Sequence, residues 1–154
     1  MKKVFIFIVV SIMCSGMIGC SSTNIQPTIP NNTYKELVIK ELSYDKNTQT
    51  ISFLTENKSD EKITTSLHYK IEKYNEQKQW EKTNLTDNLA FIEIVLLIEP
   101  NESIEESIDL SMIENIPNGI YRISKNYHNG NQNIVQYIQF EYVDKNLINL
   151  NTYN

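Results

Sequence analysis

Cysteine, histidine, arginine and glycine are all scarce in these 154 residues: two cysteines, two histidines, four glycines and one arginine, Arg122. Both cysteines fall within the first 20 residues, so the rest of the chain holds neither a disulfide framework nor a thiolate ligand set. Four glycines cannot supply a glycine-rich phosphate loop. Positive charge is short as well: 14 basic against 19 acidic side chains give a net charge of -5, which excludes the basic face of a nucleic-acid binder. No capped stripe of 3.6-residue period runs between residues 34 and 143. What is present, 40% hydrophobic and 21% charged residues, is ordinary globular material for one average domain.

The amino terminus has its own pattern. Lys2 and Lys3 precede an apolar stretch from Val4 to Met13, followed by small residues ending at Gly19 and Cys20. A positive start, an apolar centre and a small residue before a cut define a secretory signal. Met17-Ile18-Gly19-Cys20 resembles the lipobox of bacterial lipoproteins, with methionine where leucine is usual. That resemblance implies a signal peptide over residues 1–20 and Cys20 as the lipid attachment site, leaving the protein on the extracytoplasmic face of the membrane. Two other readings stay open: an uncleaved transmembrane helix, because the uncharged stretch passes Cys20, and an ordinary signal peptide with a free cysteine. Residues 21–33 carry no charge, two prolines and mostly small polar side chains, the composition of a flexible spacer. Extended, they reach at most about 45 Å.

From Tyr34 to Val143 the periodicity is two. Ile63, Thr65, Leu67, Tyr69 and Ile71 share one face of a long strand, and Ile104, Glu106, Ile108 and Leu110 alternate with Ser103, Glu105, Ser107 and Asp109. Asn75 to Lys78 reads as a hairpin tip. Asn129-Gly130 is a second, stronger hairpin signal, because both residues tolerate positive φ. Apolar parity switches between Leu37 and Leu42, which predicts a bulge or a strand that changes sheets. About seven strands without helical crossovers predict an all-β antiparallel sandwich over residues 34–143, with a closed small barrel as the alternative. A single helical turn near Ser111–Asn115 would carry the chain between sheets, and residues 144–154 read as a polar tail that either adds a strand or is disordered.

The series Tyr69 to Lys73, Trp80, Phe91-Ile92, Pro100-Asn101-Glu102, Ile108-Asp109-Leu110 and Gly119 to Lys125 resembles a bacterial immunoglobulin-like domain found in lipoproteins of low-GC Gram-positive bacteria. The resemblance implies an immunoglobulin-like β-sandwich without catalytic residues. Tyr121 then stands where a tyrosine corner would lie, and Ile123 where antibody domains place a cysteine. Trp80 and Tyr121 are expected in the core.

Little in the domain points to chemistry. His68 and His128 have no cysteine, histidine or paired carboxylate at ligand spacing, so no metal and no cofactor is expected. Glu102, Glu105, Glu106 and Asp109 form an acidic cluster in which Glu105 and Asp109 lie on the outward face of their strand; a solvated face explains it, with a weak calcium site as the sharper alternative. Arg122 is expected in a cross-strand ion pair or, alternatively, at a partner contact. The unusual segment is Leu89–Ile98, ten residues with one charge. As an extended strand it would be apolar on both faces: Ala90, Ile92, Ile94, Leu96 and Ile98 on one, Leu89, Phe91, Val95 and Leu97 on the other. Covering of the second face by the chain itself, for example by Leu147–Leu150, is the favoured expectation. If it is left open, Val95, Leu97 and Arg122 mark a surface for a protein partner at the cell surface. These features together predict a lipid-anchored binding or accessory module that is not an enzyme. The alternatives are a small-ligand carrier or hydrolase, or a sensor or inhibitor subunit of a membrane protein.

Overall fold

The computed structural model describes residues 27, 34–130 and 132–152. The signal sequence, Cys20 and nearly all of the spacer lie outside the described residues. Two antiparallel sheets face each other across a common core. The first is built from β1 (Leu37–Asp45), β2 (Thr50–Asn57) and β6 (Ser103–Asp109) in the order β1-β2-β6. The second contains β3 (Ile63–Tyr74), β4 (Trp80–Lys82), β7 (Gly119–Asn129), β8 (Gln132–Val143) and β9 (Asn146–Thr152) in the order β4-β3-β7-β8-β9. A short β5 (Leu96–Ile98) also pairs with β3. No helix occurs among the described residues.

The turns follow local chemistry. Between β1 and β2 the Asn47 amide donates to Asp45 Oδ1 at 2.8 Å, an aspartate-stabilised turn. At the β3–β4 tip the Gln79 amide donates to Asn75 Oδ1 at 2.9 Å. Gly130 takes φ 54°, the left-handed conformation that lets Asn129 pair with Gln132 across a tight hairpin. The expected bulge in β1 is present: the register skips between Lys40 and Ser43, and Glu41 sits at φ 52°. Ser111 to Asn115 forms turns, not a helix, as the chain crosses from one sheet to the other.

Inward side chains of both sheets form the main core, including Ile51, Phe53, Ile71, Ile108, Tyr121, Ile123, Ile138 and Phe140. A smaller cluster of Leu37, Ile63, Ile98, Tyr127 and Ile134 fills the end where the spacer joins. There Gln136 Nε2 donates to the Leu37 carbonyl at 2.8 Å, tying β8 to β1 of the opposite sheet.

Residues 146–152, within the polar tail whose pairing the sequence left open, form β9 on the outer edge of β8, and Leu147 enters the main core. Two sequence expectations need correction. Trp80 is not a core residue: it is half-buried on the outer face, its ring 5.0 Å from Tyr74. Leu89–Ile98 is not one long strand, because only Leu96–Ile98 pairs with β3 while residues 90–95 run outside the sheet.

Candidate functional site

Glu106 and Lys125 meet between the sheets. Parity alone carries Glu106 inward, since it lies on β6 between Ile104 and Ile108, and Lys125 lies inward on β7 between Ile123 and Tyr127. Lys125 Nζ is 2.7 Å from Glu106 Oε2, with side-chain exposures of 6% and 3%. The other carboxylate oxygen, Oε1, accepts from Thr55 Oγ1 at 2.5 Å and from the Tyr127 hydroxyl at 2.7 Å. Burial, and then the Glu106 charge, hold the Tyr127 phenol well above its ordinary range, so it stays a donor. The Lys125 ammonium also donates to the Ser66 carbonyl at 2.9 Å.

That carbonyl, which also accepts from Thr65 Oγ1 at 3.4 Å, stands where the ladder between β3 and β7 is irregular. The register with β7 passes from Thr65↔Tyr127 to Tyr69↔Lys125, so Ser66, Leu67 and His68 stand opposite Asn126 alone. Two extra residues preserve parity, which keeps Thr65 and Tyr69 on the same inward face. The acidic cluster is divided: Glu105 and Asp109 are exposed as expected, Glu102 is exposed too, and Glu106 is a core residue. No set of three His, Cys, Asp or Glu side chains among the described residues is placed to hold a metal ion.

On the outer face of the second sheet, Arg122 pairs across strands with Glu72, Nε to Oε2 at 2.6 Å. Its guanidinium lies 4.5 Å from the Trp80 ring centroid and 4.2 Å from that of Tyr137. Two aromatic faces and one carboxylate thus cover the cation, and Arg122 is only 8% exposed. It is a cross-strand ion pair and does not belong to an open surface with Val95 and Leu97.

The apolar segment before β5 is open. Ile92, Ile94, Val95 and Leu97 are 70%, 40%, 75% and 47% exposed, whereas Ile98 is fully buried. Phe91 anchors the segment against Tyr69 edge to face at 5.2 Å and against the His68 ring at 4.6 Å. His68 Nε2 lies 3.1 Å from Glu93 Oε1. The expected covering by Leu147–Leu150 does not occur, because β9 lies on the far side of β7 and β8 from β5.

The tyrosine corner is formed: the Tyr121 hydroxyl donates to the Pro117 carbonyl at 2.8 Å, and Ile123 packs where a disulfide would otherwise bridge the sheets. A bacterial Ig-like domain family model matches residues 29–141. The chain belongs to this family. No curated protein matches the sequence. In this Ig-like domain the match ends before β9, so the last strand completes the second sheet from residues outside it.

Sequence reasoning singled out the apolar segment, though it favoured covering by the chain itself, and missed the Glu106–Lys125 cluster. The signal was available: one acidic and one basic residue, each flanked at i±2 by apolar residues on a strand.

Proposed function

We propose that this Ig-like domain is a lipid-anchored extracytoplasmic binding module, held to the membrane through acylated Cys20 and without catalytic activity. The observation that carries the reading is the exposed strip Ile92, Ile94, Val95 and Leu97, beside a three-residue strand with one pairing partner. Exposed apolar groups gathered on one segment are costly for a monomer and mark a contact surface. Lys2, Lys3 and the run ending at Gly19-Cys20 support the anchor. The spacer then keeps the strip within about 45 Å of the membrane plus the size of the domain.

Two measurements test the two halves of this reading. Cys20→Ala should abolish incorporation of radiolabelled fatty acid and release the chain from the membrane or leave an unprocessed precursor; a wild-type protein that takes up no label would remove the anchor. Val95→Asp with Leu97→Asp should abolish association in cross-linking from intact membranes at an unchanged melting temperature. Unchanged cross-linked products would remove the strip as a binding surface.

A further inference from the structure

We propose that Glu106 and Lys125 become joined by a side-chain amide, formed inside the folded domain with loss of one water, so that a covalent bond links the two sheets. The starting geometry is on hand. Both side chains are more than nine-tenths buried, and Nζ stands 2.7 Å from Oε2. Among the described residues Oε2 nevertheless accepts no hydrogen bond, so the nitrogen rests against the carboxyl group out of hydrogen-bonding alignment. Holding reactants in contact in this way removes the entropic part of a bimolecular barrier.

The two oxygens of Glu106 have different surroundings, and these assign their fates. Oε1 takes two hydroxyl donors, Thr55 and Tyr127, which polarise the carbonyl and hold the oxyanion that develops on attack. Oε2 has none and is the leaving oxygen. A small reorientation of the two groups, 2.7 Å apart, lets one ammonium proton pass from Nζ to Oε2. The nitrogen lone pair then forms a bond to Cδ, and the Cδ–Oε2 bond breaks. Oε2 departs as water with a second proton from the nitrogen, leaving a neutral amide that keeps Oε1 as its carbonyl. The Ser66 carbonyl orients the nitrogen throughout. No oxidant, cofactor or second substrate enters the balance. The product replaces two charges whose burial is costly with one neutral group already supplied with donors. It also supplies an inter-sheet cross-link in a domain whose sequence contains no cysteine after residue 20.

Tryptic mapping of the purified, denatured full chain by mass spectrometry tests this without reliance on any variant. The expected result is a branched species joining peptide 83–122 to peptide 123–145, lighter than their sum by one water and uncut after Lys125. In Lys125→Arg the linear peptide 83–122 should appear alone. In Tyr127→Phe the branch should accumulate about a hundredfold more slowly after refolding, as expected for loss of one oxyanion donor. Linear peptide 83–122 with full cleavage after Lys125 in folded wild-type protein would overturn the proposal, leaving an ion pair only. A water loss mapped to any other pair of residues would overturn it equally.

Discussion

Tyr121 links the family pattern to the energetics of single residues. Its ring is fully buried and stacks on Phe140 at 5.6 Å, while its hydroxyl closes the corner on Pro117. Tyr121→Phe should cost about 1–3 kcal/mol, the penalty of leaving a carbonyl unpaired, and Tyr121→Ala about 3–5 kcal/mol, because a cavity is added. Urea unfolding midpoints should fall in that order. Trp80 behaves differently, since its main contact is the Arg122 cation on the outer face; Trp80→Ala should cost no more than about 2 kcal/mol. The buried phenols also set an alkaline limit. Burial, then the Asp109 charge, pushes Tyr69 up to about 12, and burial raises Tyr121 as well. A phenol that ionises later when folded makes the unfolded state the weaker proton binder above its ordinary value of 10, so stability falls as pH rises. Stability is intact below pH 10 and declines towards 12, and tyrosinate absorbance should appear together with the loss of the circular dichroism signal of the strands.

At the scale of elements, the ends and irregularities of strands decide what is exposed. β5 is cut to three residues because only Ile98 reaches the core; Ile63↔Ile98 and Thr65↔Leu96 bracket its whole pairing with β3. Aspartate at Ile94, Val95 or Leu97 should therefore leave the melting temperature nearly unchanged, whereas Ile98→Asp should unfold the domain, because a carboxylate would be buried with no partner. Thermal melting of the four single variants checks this. Ile94 is the informative one, because a continuous strand would bury it with Ile98.

For the whole molecule, the sandwich is closed by its last strand. β9 covers the edge of β8 and contributes Leu147 to the core beside Tyr142. Removing residues 146–154 should expose residues 138–143 of β8 as an unpaired edge and open the core, giving a lower melting temperature and concentration-dependent association. Light scattering of the truncated chain against the intact one measures both. A truncated chain that stays monomeric and melts at the same temperature would make β9 an ornament of the sheet.

The sequence by itself determined the class and much of the register. Alternation over Ser103–Leu110, the Asn129-Gly130 turn, the parity switch before Leu42 and the tyrosine four residues after Pro117 are local signals, and local steric and hydrogen-bonding rules suffice to read them; the alternation over Ile63–Ile71 gave the strand but not the two extra residues between Thr65 and Tyr69, which take Leu67 out of the buried face. Only the tertiary structure decided which apolar residues are covered. Leu147 is buried because β9 pairs along β8 and carries it into the core, and Val95 is exposed because pairing with β3 begins only at Leu96; strand pairing is a long-range property that period-two patterning does not encode. Glu106 shows the same division within one residue. Its inward direction was written in the alternation of β6, but its meaning came from Lys125 on the other sheet, because a buried charge is tolerated only where the fold delivers its partner.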